Sequence, residues 1–411
     1  MVRSGRIHRL VTDAARFGTI AQAVTLDWPA VMRRQADLVR EFQPSPDALR
    51  RTGIDVILGD ARFSDAHTVT VDGADLRADT IVIAAGSAPV VPVLPGRDLT
   101  ITSDDLLFLP AFPRRLVLVG AGVIGLEMAG AFSDLGAAVT VIGTEAEILA
   151  GFDEDVGGYV RAILEARGVT FHLGASVTRF SGRRGAVTTA FTDKSNTREI
   201  AADQVCVAIG RRWRPESVGA EQLGLAMGDR GLRVTAHLQT SMAHIYAAGD
   251  AAGNAQLTPV AAYEGRIAAR NALEGDRLTA DETVVPQTVF TTPEVAKVGL
   301  THAAARKRGI PCHVARHDMR GASNGRATGE DDGYLSLVFD PDTERLLGVQ
   351  LVNYAAAELI QLAALAIRMD TTAKFLAEQI SVHPSHAERF IKIAAHEFHE
   401  TCEIPGVLPG A

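Results

Sequence analysis

The sequence is short of cysteine and of positive charge, and it has no long apolar run. Cys206, Cys312 and Cys402 stand far apart, with no C-x-x-C and no wider paired spacing. The expectation is three unrelated reduced thiols, since lone cysteines are usually small buried hydrophobes. Lys and Arg number 41 against 49 Asp and Glu, a formal charge of −8. That balance argues against nucleic acid as a partner, because phosphate binding needs clustered positive charge. The longest apolar stretches, such as Leu359 to Ile367, are too short to span a bilayer. Basic residues open the chain without an apolar segment behind them, so no signal peptide is expected. Low-complexity segments and short repeats are also missing. These absences together suggest a cytoplasmic globular protein, and 411 residues allow two or three domains, each with its own core.

Present instead is the texture of an α/β chain. "TIVIAAG", "RLVLVGAG", "AAVTVIG" and "QVCVAIG" are continuous apolar runs rich in β-branched residues. They read as parallel strands covered on both faces, alternating with helical patterns and glycine turns. Pro110 and Pro113 break the pattern before the strongest strand and suggest a domain boundary near residue 110. Beyond about residue 284, "VVPQTVF", "GYLSLVFD" and "LLGVQLV" suggest a more antiparallel sheet. Helical stretches come after them, from Ala355 to Met369 and from Thr371 to Glu378.

The most informative stretch is "RLVLVGAGVIGLEMAGAFSDLGAAVTVI". A strand, Leu116 to Val119, enters Gly120-x-Gly122-x-x-Gly125; a helix comes next, then a strand from Val139 to Ile142. In such a turn Gly120 permits the tight bend and Gly122 lets a pyrophosphate approach the backbone. Gly125 lets the helix pack on the strand. The helix N-terminus then offers free N–H groups to phosphate. Set inside strand–turn–helix–strand, the fingerprint predicts a dinucleotide site; alone it would be a glycine-rich turn that binds nothing. The second strand ends at Gly143, where an NAD site usually carries an acidic residue, and Glu145 lies two residues on. No arginine for a 2′-phosphate occurs between Gly143 and Leu149, so NADH is favoured over NADPH.

Further stretches occur in a specific order: "TIVIAAGSAPVVPVLPG", then after the fingerprint "VAIGRRWRP", "SMAHIYAAGDAAG", "LTPVAAYEGRIAARNA", "VPQTVFTTPEVAKVGLT" and "SVHPSHAERF". Together they resemble the pyridine nucleotide–disulfide oxidoreductases, the family of dihydrolipoamide dehydrogenase, glutathione reductase and mercuric reductase, over nearly the whole chain. The resemblance implies two Rossmann-like domains, for FAD and NAD(P), and a C-terminal α+β dimerisation domain. Residues 1–110 and 237–283 would form the FAD domain, 111–236 the NAD(P)H domain and 284–411 the dimerisation domain. Asp250, in "IYAAGD", would accept hydrogen bonds from the ribityl chain of FAD. The helix opening at Leu257, Thr258 and Pro259 would face the flavin's O2 side and stabilise its negative charge when reduced. Gly86 and Gly210, which end the runs "TIVIAAG" and "QVCVAIG", count among the cofactor-binding residues, as do Val123, Ile124 and Glu127. Glu127 would lie beside the reactive flavin nitrogen. His383 would exchange protons near the substrate with Glu388 orienting its ring, since imidazole titrates near working pH. In the family that pair reaches the partner subunit's flavin, so a homodimer is implied. No metal-ligand set is assigned.

The sequence also departs from the family. The family begins with a strand and a first G-x-G-x-x-G, then a helix carrying C-x-x-x-x-C and, directly after it, Pro-Ser-Lys. None of these occurs here, and "MVRSGRIH" resembles the residues directly after Pro-Ser-Lys on that helix. The expectation is a start inside that helix, about 50 residues downstream of the family's, since one βαβ unit alone takes about 30. A truncated relic without activity and a nucleotide-binding module without redox activity are the alternatives. Val123 and Ile124, with no aromatic beside them, are closer to lipoamide dehydrogenase or mercuric reductase than to glutathione reductase. A mercuric reductase would usually carry a C-terminal cysteine pair where this tail has Cys402 alone. The electron acceptor is left as a small-molecule disulfide, a metal ion or a quinone.

Overall fold

A computed structural model describes residues 1–194 and 196–393 and the backbone of the short strand Glu400–Thr401. The chain forms two compact units. One comprises residues 1–32, 91–209 and those from 283 onward; the other comprises 33–90 and 210–282. Compared with the sequence boundaries, residues 1–32 and 91–110 fall with the nucleotide sheet, 210–236 fall in the second unit, and the residues from 283 onward are not set apart from the first.

The first unit contains a five-stranded parallel sheet in the order Ile101–Thr102, Gln204–Val207, Arg115–Val119, Ala138–Ile142, Thr170–His172. Its central strands are buried almost without interruption, which explains their unbroken apolar runs. Helix Val123–Asp134 is apolar on nearly every side because it is covered on more than one. Leu126, Ala129 and Phe132 are fully buried among the residues of the sheet. The opening helix, Val2–Thr12, packs on it at Gly5, the one buried residue of that helix. A Cβ at Gly5 would lie 2.9 Å from the carbonyl oxygen of Ala131, so the two backbones approach as only glycine allows. Arg9 and Arg167 each reach the buried Asp134 at 3.4 Å.

The same unit holds a six-stranded antiparallel sheet, ordered Gln287–Val289, Glu294–Gly299, Leu346–Asn353, Tyr334–Phe339, His313–Asp318, Glu400–Thr401. Helix Ala356–Arg368 lays Leu359, Ile360 and Ala363 on it at the spacing of one helical face. Its other face leaves Leu362, Leu365 and, just past its end, Met369 exposed. Farther along the chain Phe375, Ile380 and Val382 are exposed as well, Ile380 at 99 %.

The second unit has an antiparallel meander (Ala61–Asp65, Thr68–Val71, Ala74–Arg77) and a parallel pair, Ile81–Ile83 with Ile245–Ala247. A short ribbon joins Ala88–Pro89 to Arg211–Arg212. Phe63, Ile83, Trp213, Leu232 and Ile245 fill its core. The cysteine expectation needs correction. Cys206 is a free thiol, buried in strand Gln204–Val207, but Cys312 is disulfide-bonded. Cys402 lies outside the described residues.

Candidate functional site

The fingerprint turn closes the tip of the parallel sheet. Gly120 has φ +122°, and a Cβ there would overlap the carbonyl oxygen of Ala208 on the neighbouring strand. A Cβ at Gly125 would overlap the carbonyl oxygen of Gly120, so the helix sits directly on the turn. Gly122, the N-cap of that helix, is different: a Cβ there meets nothing within 4 Å. Two of the glycines are therefore demanded by the fold, and the third leaves backbone open for a ligand at a helix N-terminus. Val123 is exposed beside it, while Ile124 packs toward the core.

Gly143 ends strand Ala138–Ile142 against the turn, where a Cβ would lie 2.9 Å from that of Ala121. The tight fit explains a glycine where an acid is usual. Glu145 is exposed nearby, its carbonyl accepting from Gly174 N–H at 2.8 Å. Glu127, one turn into the helix, is half-buried, and its Oε1 accepts from Phe290 N–H at 2.9 Å. Burial raises its acid pKa, that hydrogen bond opposing. Phe290 N–H is its one hydrogen-bond partner among the described residues.

At the C-terminal end of this unit His383 Nδ1 is 2.8 Å from Glu388 Oε2. The carboxylate is 6 % exposed and the imidazole 64 %. Lys392 and then His383 hold the Glu388 acid down at about 2, so it is ionised throughout the working range. An ionised partner on Nδ1 fixes the tautomer and leaves Nε2 for proton exchange. His386, between them, is half-buried, and burial lowers its pKa.

In the second unit Asp250 sits on the turn Gly249–Ala252 directly after strand Ile245–Ala247. Ser87 donates its hydroxyl to Asp250 Oδ2, and Arg211 holds Ser87 in turn, Nε to Oγ at 3.1 Å and Nη2 to the carbonyl at 2.7 Å. Asp250 Oδ1 has no partner among the described residues. Gly86 and Gly210, at φ +66° and +121°, turn the chain just before Ser87 and Arg211 and so bring them together. The helix Thr258–Glu274 has Leu257 at its N-cap position, with no side-chain cap, and carries Pro259 in its first turn. A Cβ at Gly249 would lie 3.0 Å from the Cβ of Ala261, so the Asp250 turn rests on the start of that helix. Sequence reasoning missed Ser87 and Arg211, although both come directly after the glycines it selected.

With this geometry in hand, comparison with known proteins is decisive. Residues 6–265 match the pyridine nucleotide-disulphide oxidoreductase family, and residues 285–394 match its dimerisation domain. The chain belongs to this family. It is 32 % identical over 386 residues to a glutathione reductase of Burkholderia cepacia, covering 93 % of this chain and 85 % of the relative. To a dihydrolipoyl dehydrogenase of Chlamydia muridarum it is 32 % identical over 397 residues, covering 94 % and 84 %. To a mercuric reductase of Lysinibacillus sphaericus it is 32 % identical over 404 residues, covering 97 % and 74 %. A Cu(II) complex of a mutant of the HOCl-induced flavoprotein disulfide reductase of Escherichia coli superposes with a TM-score of 0.83 at 28 % identity. It covers 94 % of this chain and 88 % of that one.

This pyridine nucleotide-disulphide oxidoreductase is thus a flavoprotein-type enzyme, of a family that depends on FAD and NAD(P) in general. Its dimerisation domain supports a homodimer. Among the described residues no helix is long and apolar enough to cross a membrane. Of its thiols, Cys206 is no candidate for exchange: burial pushes it up to about 12, so it holds its proton at neutral pH.

Proposed function

We propose that this oxidoreductase holds a nicotinamide dinucleotide on the Gly120–Gly125 turn and FAD at Asp250, and that a hydride passes between the two cofactors. The nicotinamide and flavin rings supply the redox chemistry when bound; the chain's residues bind, orient and handle protons. The observation that carries the reading is the open backbone at Gly122, set on a helix N-terminus at the tip of a parallel sheet. For FAD the fit rests on Asp250, whose Oδ1 is without a protein partner among the described residues while Ser87 and Arg211 fix its other oxygen. It would receive the ribityl hydroxyls, and the helix beginning at Leu257, Thr258 and Pro259 would direct its positive end at the pyrimidine edge. Glu127 would lie beside the flavin's reactive nitrogen, and His383, oriented by Glu388, would move protons at Nε2 on the substrate side.

In this reading residues 111–236 bind the nucleotide, 1–110 and 237–283 the flavin, and 284–411 dimerise. The terminal acceptor is a small-molecule disulfide, a metal ion or a quinone. Val123 and Ile124 favour the lipoamide dehydrogenase or mercuric reductase pattern.

Glu145 favours NADH, because an exposed carboxylate near the ribose would accept hydroxyls and repel a 2′-phosphate. Titration with NADH and NADPH tests this, with E145R as the control. NADH should bind more tightly to the unmodified chain, and E145R should narrow or reverse the difference. Equal binding of both, unaffected by E145R, would overturn the assignment.

A further inference from the structure

Behind the Asp250 turn lies a pair of carboxyl groups. Glu264, on helix Thr258–Glu274, is completely buried. Its Oε2 accepts from the N–H of Gly249 at 2.6 Å and its Oε1 from Asn254 Nδ2 at 2.7 Å. The same amide nitrogen is 3.3 Å from Glu282 Oε1, so one side chain ties both acids. Two carboxylates crowded around one amide repel each other if both ionise, and a proton on Glu282 relieves that repulsion. Burial, then the hydrogen bond to Glu264 and its charge, push the Glu282 acid up to about 7; the N–H of Ala255 and the amide of Asn254 pull the other way. Glu264 is the charged neighbour that raises it. Titratable and charged side chains on the surrounding segments include Asp250 on the turn, Tyr263 and Arg266 on the helix of Glu264, and Asp281 beside Glu282, the Asp281 N–H donating to the Tyr263 hydroxyl at 3.0 Å. They also include Arg230 on the loop against Gly253, and Arg211, whose carbonyl accepts from Gln256.

The place of the pair matters more than its titration. Glu264 is bonded to the amide of Gly249, the residue immediately before Asp250. Gly249 has φ +66° and is packed tightly on Ala261, so its turn has little room to relax while that bond is intact. We propose that Glu264 and Glu282 are positioning residues for Asp250: one proton shared between them locks the Gly249–Ala252 turn onto the helix, and losing it loosens the turn and the grip on the ribityl chain. This rests on the reading of Asp250 as a flavin ligand.

The sign is set by the raised acid. Glu282 titrates higher in the fold than the usual 4.5. Its contribution to stability is therefore complete below about 4.5, falls as the pH rises toward about 7, and is gone above it. In E282Q a carboxamide donates in place of the acid O–H and does not titrate. Thermal unfolding of the full chain without added cofactor, followed from about pH 5 to about pH 8.5, should show a falling midpoint that flattens in E282Q. FAD retention on ultrafiltration should weaken several-fold between about pH 6 and about pH 8 in the unmodified chain and hold steady in E282Q. E264Q should remove the same slope; if it fails to fold, E282Q alone decides. An E282Q profile as steep as the unmodified one would overturn the shared proton. No FAD retention at either pH would overturn the flavin role of Asp250, and with it the positioning role, while the unfolding profiles still judge the carboxyl pair.

Discussion

Gly120, Gly122 and Gly125 look alike in the sequence and serve different ends, which substitution should separate. G125A forces a methyl into the carbonyl of Gly120 and should cost about 1–3 kcal/mol of stability, the usual effect of overpacking. G122A places its methyl in open space, so thermal unfolding should be unchanged while NADH binding weakens roughly tenfold, about 1.4 kcal/mol. A destabilised G122A that binds NADH normally would refute the division. At this scale the sequence is legible where one residue type alone meets a local demand: positive φ, close backbone approach, or a His–Glu pair five residues apart. It is silent where the demand is set by distant chain. Ser87 meets Asp250 and Arg211 across more than a hundred residues, and Glu264 meets Glu282 only because a helix returns past a loop. No spacing announces such contacts, nor the disulfide at Cys312, which has no paired cysteine motif around it.

The elements most legible were those with long one-character runs. The strands at 116–119 and 139–142 differ from the observed ones by one residue each. Those that passed unread, the meander at 61–77 and the antiparallel strands Ala175–Arg183 and Asn196–Ala202, are largely exposed, with polar residues set among the apolar ones. Helix Trp28–Phe42 also passed unread, yet its first residue is an anchor of the nucleotide unit. The Trp28 ring is buried against Phe112 and Phe132, with centroids 5.2 and 5.8 Å away, and its Nε1–H donates to Leu109 O at 2.9 Å. W28A empties that site and orphans an acceptor. The expected loss is about 3–5 kcal/mol in denaturant unfolding; a loss below about 1 kcal/mol would mean the helix is not anchored there.

For the whole molecule, Leu362, Leu365, Met369, Phe375, Ile380 and Val382 are large apolar side chains left exposed, of the kind that interfaces cover. All lie within the matched dimerisation domain. Light scattering should give twice the 43.6 kDa chain mass, and L365E should shift it to the monomer; an unmodified chain that stays monomeric at micromolar concentration would contradict the dimer. The central claim, that this chain binds FAD and a nicotinamide dinucleotide for hydride exchange, is tested most directly by an absorption spectrum. The purified chain, incubated with FAD and freed of excess, should show a flavin band near one per chain, and NADH added without oxygen should bleach it. A chain that retains no flavin, or whose band NADH leaves unchanged, would contradict the account.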